Sequence, residues 1–216
     1  GPSGAGKSSA AKALAKKLGY LYIDTGALYR AIGLFCIRQH VSDMKDAAQV
    51  TPHLEKIDVS LRFVEGEQRV YLNGEDVSDL IRTQPVAQAA SDVSAHPPVR
   101  AFLLDLQRKM AAENNVLMDG RDIGTVVFPD AELKIFMTAD PKVRAQRRYD
   151  ELTAKGDNVT MDEILENVLS RDHADMNREI SPLRQADDAI VLDNSHMSVE
   201  EQMAWFMERY ELLVKE

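Results

Sequence analysis

The chain has 216 residues, enough for one substantial core or one core with a small insert, and its 44% apolar and 28% charged content is that of a folded globular protein. A net charge of −9 argues against a general nucleic-acid coat, which needs surplus positive charge, but leaves room for a local arginine cluster aimed at one small phosphate ligand. The single cysteine, Cys36, excludes an intrachain disulfide or a zinc–thiolate cluster and fits a reducing, cytoplasmic setting, and no apolar run approaches the ~18 residues of a membrane span.

Gly1-Pro2-Ser3-Gly4-Ala5-Gly6-Lys7-Ser8 fits G-x-x-x-x-G-K-[ST], a phosphate-binding loop. Such a loop normally follows a buried strand, so a strand of ~5–10 residues is expected upstream of Gly1. Residues 7–18 have helical apolar spacing closed by Gly19, and 21–23 form a short apolar strand ending at Asp24. A helix follows from about Thr25, with Ala27, Leu28, Ala31, Leu34 and Phe35 inward, and another is expected over 43–54. Residues 59–64 and the run after Gly66 through 70–72 alternate with period two, which predicts a hairpin with one wet face. This change of texture marks residues 57–95 as an insert. Pro97-Pro98 starts a long helix. Strands are predicted at 116–119, 133–137 and 189–193. An arginine-rich helix opens at Asp140-Pro141, a loop spans 155–158, and a helix runs from Thr160 to about Asp175. The last helix places Val199, Met203, Phe206, Tyr210 and Leu213 on one face. Short apolar strands alternating with helices predict an α/β fold, a parallel sheet covered on both faces, whose ligands bind beyond the carboxyl ends of the strands. Asp24, Asp119 and Asp193 fall there.

In the loop, glycines let the backbone curl so that N–H groups face a phosphate, Lys7 adds charge for the outer phosphates, and Ser8 offers a hydroxyl to Mg²⁺. The helix behind it directs its positive end at the same anion. The loop alone does not choose between kinase, ATPase and GTPase. No asparagine is followed by lysine, so the guanine-reading N-K-x-D is missing, whereas Arg30, Arg100, Arg121, Arg147, Arg171 and Arg178 fall where the fold converges.

Residues 1–9, Asp24-Thr25-Gly26-Ala27-Leu28-Tyr29-Arg30, the run from Asp119-Gly120-Arg121-Asp122-Ile123-Gly124 to Pro129, and Arg171-Asp172-His173-Ala174-Asp175-Met176-Asn177-Arg178 resemble the motifs of bacterial cytidylate kinases, in order along essentially the whole chain. Residues 74–84 resemble that family's insert. The resemblance implies the nucleoside monophosphate kinase form of the P-loop α/β three-layer fold. Its core would be residues 1–56 and 96–216, with a lid at about 144–160 and a small α+β monophosphate-binding insert at 57–95. It implies transfer of the γ-phosphoryl group of ATP, with Mg²⁺, to CMP or dCMP in pyrimidine nucleotide metabolism. A monomer is expected, and charge and hydropathy predict no nucleic-acid or membrane partner.

Carried over residue by residue, the resemblance makes Gly1, Pro2, Ser3, Gly4, Ala5, Gly6, Lys7, Ser8 and Ser9 the ATP loop. Arg30, Arg121 and Arg178 become the clamp on the CMP phosphate and, with Lys7, the catalytic cations. Ser91, Arg100 and Asp122 become the cytosine readers, Arg171 and Asp175 the ribose pair, Thr25 a looser substrate contact, and Arg147 the lid residue reaching the ATP phosphates. Other roles stay open. Asp122 also fits a turn-orienting residue, Arg171 and Asp175 an i, i+4 helix pair, and Asp24 and Thr25 a helix cap. Arg144 and Arg148 are expected on a solvated helix face. A nucleotide switch lacking an acceptor would keep the loop without needing the arginines and the hairpin, and a kinase for UMP or a metabolite alcohol is the nearer rival. His40, His53, His96, His173 and His196 show no metal-ligand spacing. Asp187-Asp188 reads as a solvated pair and Cys36 as inert core.

Overall fold

The computed structural model describes residues 1–64, 67–112 and 114–215, so the hairpin turn at Gly66 lies outside the described residues. The chain forms two compact units, Leu21–Asp119 and the combination of Gly1–Tyr20 with Gly120–Glu216.

In the unit of residues 21–119, β1 (Leu21–Asp24) and β5 (Val116–Asp119) pair in parallel, with Leu21 opposite Val116 and Asp24 opposite Asp119. Both strands therefore end on a carboxylate at the same edge. α2 (Thr25–Arg38) leaves β1 without a linker because the Asp24 carboxylate accepts the Ala27 N–H at 3.1 Å and caps the helix. Leu28 and Ile32 on its inner face are fully buried. They pack in one apolar cluster with Val86 and Val93 of α4 (Gln84–Val93), Val99 and Leu103 of α5 (Pro97–Ala111), and Val70 and Leu72 of the hairpin. α2 and α4 approach so closely that a Cβ on Gly33 would lie 2.9 Å from the Ala90 nitrogen, so a larger residue there forces the helices apart. The hairpin pairs β2 (Val59–Val64) with β3 (Glu67–Leu72) in the antiparallel sense, and β4 (Glu75–Asp76) adds a third strand beyond Asn73-Gly74.

The helix expected over 43–54 is not one helix. Asp46 caps a short α3 (Ala47–Val50), and the chain then tightens into a 3₁₀ segment, Thr51–Lys56. Pro52 has no N–H to continue the α ladder, which is the physical reason for the change. Helix α4 falls within residues 57–95, the expected α+β insert.

In the other unit, α1 (Lys7–Leu18) follows the glycine-rich loop and ends on Gly19 in the left-handed conformation. The Tyr20 and Tyr210 hydroxyls meet at 3.1 Å with their rings edge to face, tying the end of α1 to α8 (Val199–Val214), and this hydrogen bond raises the Tyr20 pKa. β6 (Ile135–Thr138) and β7 (Ile190–Asp193) pair in parallel. β6 starts two residues later than the sequence suggested, although the Lys134 carbonyl still accepts the Ile190 N–H at 2.9 Å, and the Lys134 side chain is buried. Its ammonium donates to the Pro129 carbonyl and, at 2.6 Å, to Asp188. Asp188 is thus exposed but ion-paired, and its carboxyl is held below the usual range by Lys134. α6 (Pro141–Ala154) and α7 (Met161–Asn177) pack through Ala145, Leu152, Ile164 and Val168. Reciprocal Thr160–Glu163 and Ser198–Glu201 capping boxes start α7 and α8. On α8, Phe206 is buried and stacks edge-on with Trp205, which lies under the Arg209 guanidinium. Val199 is 71% exposed and does not share that packed face. Each unit combines a parallel ladder with helices, the α/β class that the alternation predicts. No helix among the described residues is long and apolar enough to cross a membrane.

Candidate active site

The phosphate loop adopts the curl its glycines allow. Gly4 and Gly6 have φ of 73° and 79°, a region other residues enter at a cost. Gly6 caps α1 without a side chain, and the first turn carries no acidic residue, so the helix N-terminus keeps its positive character. Lys7 folds back to donate to the Pro2 carbonyl at 2.5 Å. Ser8 and Ser9 are exposed on the first turn.

A cationic cluster adjoins this loop in the same unit. The Gly1 nitrogen lies 3.4 Å from the carbonyl of Gly120, the residue before Arg121. Arg121 donates through Nε to Asp175 Oδ2 at 2.7 Å, and Arg178 lies 3.8 Å from Asp175 Oδ1 while donating to the Ser181 carbonyl at 2.6 Å. Two guanidinium groups thus converge on one buried carboxylate, where screening by water is reduced. Asp122 is buried, and its carbonyl accepts from the amides of residues 125–127 in a π-helical turn, Ile123–Val127. Arg171 is half-buried on α7, one turn before Asp175.

Arg144 corrects the sequence reading. It is not on a solvated face: it is buried, pairs with Asp172 at 2.5 and 3.0 Å, and also donates to the carbonyls of Ala139 and Ser3. The helical spacing of an arginine-rich segment gave no sign of this, because the partner acid lies on α7. Arg147 donates to the Asn194 side chain at 3.1 Å and to its carbonyl at 2.8 Å. Asn194, fully buried, carried no sequence signal.

Other sequence-derived candidates belong to the unit of residues 21–119. Asp24 pairs with Arg30 at 2.7 Å while capping α2, and its own N–H donates to Gln68 on β3 at 3.1 Å. Gln68 went unnoticed because period-two alternation does not distinguish it from its neighbours. Thr25 donates its hydroxyl to the Asp119 carbonyl at 2.8 Å, joining the ends of β1 and β5. Arg100 is buried beneath Tyr29 and donates to the Ser94 carbonyl at 2.9 Å; Ser91 is half-buried on α4. Burial raises the Cys36 thiol to about 11, so it stays protonated near neutrality and is no nucleophile. Among the described residues, no group of three or more His, Cys, Asp or Glu side chains is placed to hold a metal.

The profile of the Cytidylate kinase family matches residues 1–211. A cytidylate kinase of Parabacteroides distasonis is 51% identical over 214 residues, covering 97% of this chain and 93% of the relative. One from Bacteroides fragilis is 48% identical over 219 residues (100% and 96%), and one from Carboxydothermus hydrogenoformans 48% over 208 residues (96% and 93%). With the match running from the phosphate loop into α8, the chain belongs to the cytidylate kinase family.

Proposed function

We propose that the chain transfers the γ-phosphoryl group of ATP to CMP or dCMP, yielding ADP and CDP or dCDP, as a cytoplasmic monomer serving pyrimidine nucleotide metabolism. The observation that carries this reading is the adjacency, within one unit, of the glycine-rich loop and the Arg121–Asp175–Arg178 cluster. One suits a triphosphate and the other a second, singly phosphorylated ligand.

Residues 1–9 hold the ATP phosphates: loop N–H groups and the α1 N-terminus face them, and Lys7 leaves Pro2 to neutralise the outer ones. The exposed Ser8 hydroxyl on the first turn of α1 fits a cation that arrives with the nucleotide, and when bound Mg²⁺ spreads charge off the outer phosphates. Arg30, Arg121 and Arg178 orient the acceptor phosphate and offset its repulsion from the donor. Asp122, with Ser91 and Arg100, reads cytosine, whose exocyclic amine suits a carboxylate acceptor where uracil presents an oxygen. Arg171 and Asp175 hold the ribose. No strong general base is required, because a phosphate monoester with a second pKa of ~6 is largely dianionic at neutral pH. Residues 144–160, with Arg147, act as the lid that excludes water, and residues 57–95 as the monophosphate-binding insert on a core of 1–56 and 96–216.

Incubation with Mg·ATP and, separately, CMP, dCMP, UMP, AMP and shikimate, measuring ADP, tests the reading. Turnover is expected with CMP and dCMP; equal or faster turnover with any of the others would overturn it.

A further inference from the structure

The peptide groups beside Gly4 and Gly6 are the ones a glycine-rich loop is freest to rotate, yet two buried side chains hold them. Arg144 donates through Nη1 to the Ser3 carbonyl at 2.9 Å, and Asn194 donates through Nδ2 to the Ala5 carbonyl at 2.9 Å. In a trans peptide the N–H points opposite to the C=O. Gripping the Ser3 and Ala5 oxygens therefore turns the Gly4 and Gly6 N–H groups away from these donors.

Neither donor is free to wander. The Arg144 side chain is 3% exposed and is fixed by Asp172 and the Ala139 carbonyl. Asn194 is 0% exposed, and its amide is fully used. Nδ2 also donates to Gln202 at 2.9 Å, Oδ1 accepts from Arg147 at 3.1 Å, and the backbone N–H donates to the Thr138 carbonyl at 2.9 Å. The reversed amide would set Oδ1 against the Ala5 carbonyl oxygen and Nδ2 against a guanidinium, so this orientation is the one that satisfies every group.

We infer that Asn194 and Arg144 are positioning residues of the phosphate loop, fixing the Gly4 and Gly6 N–H groups in their anion-binding orientation before the triphosphate arrives. Through Oδ1 and its carbonyl, Asn194 also sets the Arg147 guanidinium, so one buried amide aligns the loop and the arginine of α6 together. The inference rests on reading residues 1–9 as the ATP site, and it adds residues outside that motif.

The test uses the full chain and the variants Asn194→Asp, Asn194→Ala, Gln202→Ala and Lys7→Ala. Binding of a non-hydrolysable ATP analogue is measured by calorimetry, and KM and kcat by ADP release. Asn194→Asp keeps the acceptor for Arg147 but replaces the donor to Ala5 with an oxygen. It is expected to weaken analogue binding and raise the KM for ATP by about tenfold, with kcat and the KM for CMP changed less than about threefold. Asn194→Ala should do the same, which keeps the test open if the buried aspartate prevents folding. Gln202→Ala, losing only the outer bond, should change either constant less than about threefold. If both Asn194 variants bind the analogue within about twofold of the parent, even with a lowered melting temperature, Asn194 is merely structural and the inference falls. If Lys7→Ala also binds normally, the ATP-site reading itself falls.

Discussion

In the unit of residues 21–119, α2 is enclosed by aliphatic side chains from α4, α5 and the hairpin, and among the described residues Arg100 is its one buried Asp, Glu, Lys or Arg. In the unit carrying the phosphate loop, Asp122, Lys134, Arg144, Asp172 and Asp175 are all buried. The contrast separates two jobs. Apolar packing is non-directional and forgiving of shape-conserving changes, and it supplies stability. Buried charged and amide groups are directional. A buried ion pair is weak evidence for stability but fixes the orientation of whatever it touches, here the loop carbonyls, α7 and the ends of β6 and β7.

The sharpest comparison is between one residue of each kind. Arg144→Met leaves Asp172 buried without its partner and is expected to lose about 3–5 kcal/mol of stability while also raising the KM for ATP. Leu103→Ala in the aliphatic core should lose about 2–5 kcal/mol and leave both Michaelis constants unchanged. Denaturant titration and initial rates check both. Should Leu103→Ala move the KM for ATP as far as Arg144→Met, the division of labour disappears. A smaller effect is expected of Asp122→Ala, which should narrow the preference for CMP over UMP by about tenfold in kcat/KM; an intact preference would assign base reading elsewhere.

The smallest effect lies on the surface of the aliphatic unit. Asp76 is held at about 2, against an ordinary 3.8, by the Ser78 hydroxyl and amide and then by Arg69. A depressed native pKa means that its stabilising contribution is complete above about pH 4 and fades as the pH falls towards 2. Asp76→Asn should lower the melting temperature slightly at neutral pH, with the gap to the parent closing below about pH 4. A gap independent of pH would mean that the charge has no part in it.

Local rules carried much of the fold. The glycine spacing foretold the curl of residues 1–8, Gly19 the end of α1, and Thr160 the start of α7. The carboxylates closing three strands were also legible, because each ends an apolar run. What escaped depends on partners distant in sequence. Arg144 pairs with Asp172, Lys134 with Asp188, and Asn194 bonds to donors and acceptors from four elements, and no local periodicity encodes such meetings. Pro52 is a local breaker inside the helix expected over 43–54, and it ends the α ladder there. Helix α4 supplies the helical part of the expected α+β insert, with no bounds legible beforehand. For the proposed site, the family motifs name the residues proposed to face the nucleotides, whereas Asn194 and Arg144 belong to no motif.

Trp205 is the only tryptophan in the chain and sits on α8, one turn beyond Gln202. Long-wavelength ultraviolet excitation therefore makes emission a signal from the loop-bearing unit alone, while residues 21–119 stay dark. Loss of order in the two units can thus be timed separately, by indole fluorescence for one and backbone circular dichroism for the sum, without attaching a label.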